Sequence, residues 1–215
     1  MGFLNTVTGL LSLALVLALA VGWVCLGFIF AIEKVMVLVY EEGGHDHLAQ
    51  WVGSADFVRI FEALVVGGLV VGSLTYYLIP ERTNVGFNGV LRAANDREGF
   101  ISWQEGLGVG ISSVVSIGCG ASVGRYGPAV HIGAAAGSVL ATMLGLQSGA
   151  VLTLLAAGSA AAIAASFHAP FAGVLFAHEV ILRDSNILAF APVTLAAVVG
   201  MLVGENHNGG RSVFW

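Results

Sequence analysis

Charge is what this chain has least of. Only 10% of its 215 residues are Asp, Glu, Lys or Arg, against about 25% in a soluble globular domain. An ordinary soluble fold is therefore excluded. No basic patch exists, so nucleic acid is excluded as a partner, and the net charge of −5 is the balance of too few charges to imply any polyionic ligand. Cysteine is equally sparse. Cys25 and Cys119 both lie in apolar stretches and read as small buried hydrophobes, which excludes a disulfide framework or a thiolate metal site. The first apolar run lacks the basic n-region of a secretion signal and continues past the length of an h-region, so it reads as a membrane helix. What remains is apolar: 57% hydrophobic residues and thirty glycines, with a mean hydropathy of +0.91. The composition predicts an all-α, polytopic membrane protein whose small residues let helices approach closely.

The whole of 1–215 reads as one transmembrane unit, without repeats or a soluble linker. Residues 10–39 and 57–79 are predicted to be spanning helices, the first long enough to cross at a tilt. Gly68 and Gly72 form a small-xxx-small pair in the second, which Pro80 ends. The intervening loop carries His45, Asp46 and His47. No further ligands follow at useful spacing, so the reading is a solvated loop and no metal site. Residues 81–105 carry Arg82, Arg92 and Arg97, whereas the preceding loop and its flank carry only Arg59. The positive-inside rule places 81–105 and the N-terminus on the cytoplasmic side. A short inner helix is predicted over 85–94. Across 106–204 the breaks at 118–127, 145–149, 168–170 and 183–186 come too closely for perpendicular crossings of roughly 20 residues. Closely packed tilted or partial helices are expected, about six to eight helices in all. Helices that stop partway in a bilayer are a means of building ion sites.

Gly124-Arg125-Tyr126-Gly127-Pro128 is the most informative of these breaks. A turn at membrane depth must have its backbone satisfied by protein or ligand. A helix opening there points free N–H groups and a partial positive charge at whatever lies beyond. Two readings fit: an anion-attracting turn, or an ordinary helix start with Pro128 as an early helical residue and the glycines as packing.

Three stretches decide between them. Residues 116–133 read SIGCGASVGRYGPAVHIG, 156–179 read AAGSAAAIAASFHAPFAGVLFAHE, and 189–193 read AFAPV. The first matches G-x-x-x-G-R-E-G-P-x-V-x-x-G except at the glutamate. The second follows G-x-A-A-x-x-A-A-x-F-x-A-P-x-A-G-x-x-F-x-x-E. With these motifs the chain resembles the N-terminal half of the CLC family of chloride channels and chloride/proton exchangers. The resemblance implies the first inverted-repeat half of a CLC-type fold, with chloride or a similar anion held where broken helices converge. Gly124, Arg125, Tyr126 and Gly127 then form one part of the anion site, with Arg125 tying backbone carbonyls or a carboxylate near the break. The family's second anion-binding turn aligns near residues 84–88, giving Val85, Gly86 and Phe87 as the other part. No cofactor is implied.

The departures from the family pattern bear on mechanism. The family's gate glutamate is Tyr126 here. A phenol does not ionise near neutrality as a carboxylate does, so Tyr126 cannot compete with chloride and shuttle protons. It serves as a neutral gate or packs as an aromatic with its hydroxyl at a wet edge. The inner proton glutamate falls at Val180, while Glu179 matches a neighbouring, mainly structural acid. The family's anion-binding serine falls at Val85, which has no hydroxyl; Asn84 is a polar substitute. The resemblance also implies that the sequence ends after the first of two halves, as a truncated frame, a fragment, or half of a split protein.

The reading is chloride transport across a membrane, channel-like and not proton-coupled, with this chain supplying half of the pathway. Its expected partners are the lipid bilayer and either a second copy, as a dimer, or a complementary second half. Its expected location is a bacterial cytoplasmic membrane. The alternative is a non-conducting assembly subunit or a truncated fragment without activity of its own. A proton-coupled exchanger would need carboxylates absent from both expected positions. A zinc enzyme is excluded at His178-Glu179, because Leu182 stands where H-E-x-x-H needs its second histidine, and no catalytic site is assigned.

Overall fold

The computed structural model describes residues 7–40, 57–79, 86–183 and 187–208. Every regular element among them is helical. The chain runs α1 (Val7–Tyr40), α2 (Phe57–Leu78), α3 (Phe87–Asp96), α4 (Trp103–Gly118), α5 (Tyr126–Met143), α6 (Ser148–Phe167), α7 (Pro170–Phe176, continuing as a π-helical turn over Ala177–Leu182) and α8 (Ile187–Asn208). Among the described residues α1, α2, α6 and α8 are long and apolar enough to cross a bilayer. The 34 residues of α1 extend about 50 Å, well beyond a hydrocarbon core of about 30 Å, and so require tilt.

The centre of the molecule is α6. A helix that is apolar all round is a core helix, and α6 is buried along almost its entire length, with Ala156, Ala157, Ala160, Ala161 and Ala164 fully covered. Alanine and glycine make this possible, because they let several helix backbones reach α6 at once. A Cβ on Gly158 would run into the Gly133 carbonyl of α5, and one on Gly200 or Gly204 of α8 would lie 2.5 or 2.6 Å from the carbonyl oxygen of Ala161 or Ala165. Close contact between apolar helices in lipid comes from this kind of backbone approach. Three hydroxyls of α5 and α6 bond back one turn. Thr153 donates to the Gly149 carbonyl at 2.8 Å, Ser159 to Leu155 at 3.0 Å and Thr142 to Ser138 at 2.8 Å, which satisfies them without a polar partner helix.

By contrast α2 is nearly bare, with only 6% of its apolar window buried. The Gly68/Gly72 pair has open space beside it, and it is Gly67 that approaches another helix end, at Cys119. Cys25 and Cys119 are both free and buried, as the sequence indicates.

Local chemistry fixes where the helices stop. Ser102 caps α4 by accepting the Glu105 amide at 3.2 Å, and Glu105, buried, pairs with Arg97 at 3.4 Å. The first part is half of a capping box. The α4–α5 break is tied to α1: Tyr40 donates its hydroxyl to the Cys119 carbonyl at 2.7 Å. Gly120 then takes φ 95°, a left-handed conformation that glycine adopts without strain. His168 at φ 55° ends α6, and Pro170 opens α7 in the first helical position, where its missing N–H costs nothing. The π turn ends at Arg183, φ 51°, whose amide donates to the His178 carbonyl at 2.9 Å.

Candidate functional site

Two helix starts meet. One is the beginning of α5, with Arg125 as its N-cap residue and no side chain capping it. The first amides of a helix have no intrahelical acceptor, so Tyr126 and Gly127 present free N–H groups; Pro128 has none to present. The other is the beginning of α3, with Gly86 as its N-cap residue at φ 69°, also without a side-chain cap. The two are in backbone contact: a Cβ built on Gly86 would lie 3.8 Å from the Gly127 carbonyl carbon, and one on Gly127 would lie 3.7 Å from the Phe87 ring. The turns containing Gly124–Gly127 and Gly86–Phe87, forty residues apart in sequence, thus form one locus. Its helix ends both carry partial positive charge.

Two aromatic pairs adjoin this locus. Phe87 meets Phe176 of α7 edge to face, centroids 5.5 Å apart. Tyr126 stacks on Phe167, the last residue of α6, at 3.9 Å and 25°. Arg125 lies over the ring of the same tyrosine, 5.4 Å from its centroid. Among the described residues Arg125 has no ion pair with a carboxylate, so its partner is a π face where a carbonyl or carboxylate was expected. Tyr126 and Arg125 border, with Cys25, Phe28, Ala129 and Ser166, a recess of about 10 Å³, at the lower limit for a single water.

One residue in this region had no role in the sequence reading. His131, fully buried, reaches from α5 to the Gly86 carbonyl, Nδ1 to oxygen 3.1 Å. Its signal in the sequence is an imidazole within an otherwise apolar helix, two positions before Gly133. Phe167 is a fixed position of the second motif, but nothing in that motif shows that its ring meets Tyr126.

The family model described as voltage gated chloride channel matches residues 67–215. The chain belongs to that family. It is therefore an integral membrane protein with a helical CLC fold. Its relatives include a chloride/fluoride channel protein of Pseudomonas syringae pv. tomato, 34% identical over 161 residues that make up 74% of this chain and 35% of that protein. They also include an H(+)/Cl(−) exchange transporter, ClcA, of Vibrio parahaemolyticus, 26% identical over 93% of this chain and 44% of that one. Among solved structures, a slow cyanobacterial Cl−/H+ antiporter superposes with a TM-score of 0.73 over 94% of this chain and 48% of its own, at 22% identity. That likeness bears on the fold. The chain thus spans less than half the length of these relatives.

The other residues singled out in the sequence are distributed as follows. Gly86, Phe87, Gly124, Arg125, Tyr126 and Gly127 are brought together as described. Val85 and Asn84 lie outside the described residues, as do His45, Asp46 and His47; among the described residues no cluster of His, Cys, Asp or Glu could hold a metal. Glu179 and Val180 sit side by side in the π turn, the acid exposed and the valine half-buried. That turn packs against α3.

Proposed function

We propose that the chain supplies part of a chloride pathway across a membrane, and that passage is channel-like, without proton coupling. The observation that carries this reading is the junction of the two uncapped helix starts at Gly86–Phe87 and Tyr126–Gly127. Free amides and two converging helix dipoles attract a monovalent anion without a full countercharge, so it is held loosely enough to leave. Exchange with protons requires groups that gain and lose a proton near neutrality. Tyr126 and Val180 stand where the family's exchangers use carboxylates, and neither side chain is a carboxylate.

Completion of the pathway falls to a complementary half, supplied by the same polypeptide or by a second chain, and the assembly is a dimer. The membrane is a bacterial cytoplasmic membrane, with the α2–α3 connection and the N-terminus on the cytoplasmic side. The test is chloride efflux from proteoliposomes containing the complete assembly, with external pH followed at the same time. Chloride efflux without chloride-driven proton movement is the expected result. A proton flux that tracks chloride and is absent from empty vesicles would refute the uncoupled mechanism.

A second reading has its own observation. Tyr126 contacts both Phe167 and Arg125 and borders a recess that barely admits a water, which suits a closed, non-conducting assembly subunit. Absence of chloride flux in the wild type and in Tyr126→Ala alike would select that reading.

A further inference from the structure

We propose that His131 is a positioning residue for the anion site: by donating Nδ1–H to the Gly86 carbonyl it holds the α3 start against the α5 start. This inference rests on the anion pathway proposed above. Three observations carry it. The His131 ring is fully buried. Its Nδ1 lies 3.1 Å from the Gly86 carbonyl oxygen, which also accepts the first intrahelical bond of α3 from the Val90 amide at 3.3 Å. Its Nε2 is buried without any partner.

A carbonyl only accepts, so the hydrogen in this contact belongs to Nδ1. The hydrogen bond at one ring nitrogen sets the protonation of the other, and a neutral ring with Nδ1–H leaves Nε2 as a bare lone pair. The polar work of the ring is therefore concentrated at one atom and one target. That target is the N-cap carbonyl of α3, whose opposite end directs the free amides. Gly86 sits at φ 69°, where glycine has wide conformational freedom, and no side chain caps the helix. A tether on its carbonyl restricts the peptide plane that glycine would otherwise leave loose. Because His131 belongs to α5, the same tether sets the spacing between the two sets of amides.

The test separates the two ring nitrogens. The asparagine amide nitrogen takes the place of Nδ1, whereas the glutamine amide reaches the place of Nε2. Chloride affinity is measured by titration of the complete purified assembly, wild type and His131→Asn, His131→Gln and His131→Leu. The expected result is Asn within about threefold of wild type, and Leu and Gln weakened by about tenfold, the loss equivalent to one positioning hydrogen bond. Nitrogen-15 spectra of the labelled wild-type protein should show one histidine protonated at Nδ1 and bare at Nε2, and that signal should vanish in His131→Asn. The spectrum does not depend on chloride binding or on the variants folding. A signal from His131 with the proton on Nε2, or chloride affinity indifferent to Leu, would overturn the positioning role while leaving the anion pathway standing. A wild-type assembly with the expected tautomer but no chloride binding would overturn the anion pathway, and the positioning role with it.

Discussion

Tyr126 lies almost flat on Phe167, with ring centroids 3.9 Å apart and planes inclined by 25°. The first belongs to the opening turn of α5 and the second closes α6, so the stack joins a helix start to a helix end. Stacked aromatic pairs contribute about 0.5–1.5 kcal/mol beyond the area they bury. That is enough to bias the ring toward one position and small enough for it to move.

The first prediction concerns that position. A neutral ring is not expelled by competing charge, so wild-type chloride flux should be low and nearly flat in pH around neutrality. Tyr126→Ala should raise flux in proteoliposomes. Phe167→Ala, which removes the stacking partner, should raise it by a smaller factor, about two- to tenfold by the energy above. Tyr126→Glu should introduce pH dependence. The carboxylate competes with chloride when ionised and releases the path when protonated, so flux should increase as pH falls. Proton coupling should not return, because Val180 is unchanged. Identical flux and pH response in all three variants would assign Tyr126 to packing alone.

A second prediction tests the close approach of α5 and α6. In Gly158→Ala the new methyl meets the Gly133 carbonyl, a backbone atom that cannot move without shifting a helix. Overpacking of this kind costs about 1–3 kcal/mol. For a unit of this size that is a fall of about 2–12 °C in thermal midpoint, measurable by size-exclusion recovery after heating in detergent. Gly68→Ala and Gly72→Ala, which face open space, serve as controls and should lie within about 1 kcal/mol of wild type. A midpoint for Gly158→Ala equal to the controls would mean the helices are farther apart than described.

Tyr40→Phe provides a third. It removes the hydroxyl that donates to the Cys119 carbonyl at 2.7 Å and leaves that buried acceptor unpaired. The expected loss is about 1–3 kcal/mol, again read as a lower thermal midpoint. Because the bond anchors the break leading to α5, chloride flux should also fall in proportion to the population of displaced turns. A stable variant with wild-type flux would show that Gly120 and Gly67 hold the break without the tyrosine.

The helical class, the membrane location and the family were legible because they rest on composition and local pattern. Few charges, long apolar runs and Gly/Pro punctuation at 118–127, 145–149 and 168–170 follow from chain chemistry alone. The π turn was not legible, since Ala177–Leu182 has the same apolar character as an α-helical segment. Nor could local pattern show that α6 is the central helix. Its alanines carry no amphipathic stripe, and only the assembled structure shows neighbours on every side. At the candidate site the Gly124–Pro128 turn was marked by motif and the 84–88 turn only by its place after the proline-ended second span, whereas the contact of Gly86 with Gly127 is a tertiary fact. His131 was visible as a residue but not as a tether, because its acceptor is a backbone carbonyl 45 positions away. The Gly68/Gly72 pair shows the reverse case, a local packing signal that this chain does not use.

The π turn in α7 has one further consequence, which concerns phase. A π turn holds one residue more than the α turn it replaces, and one residue is about 100° of rotation around a helix. Glu179 and Val180 are separated by that same single step, and in the present phase the valine is the more buried of the two. Straightening Ala177–Leu182 into α-helix by a one-residue deletion ahead of Glu179 would turn the acid about 100° relative to the preceding helix. Which chemical group this stretch buries, carboxylate or hydrocarbon, is therefore set by helical phase as much as by the residue written at position 180.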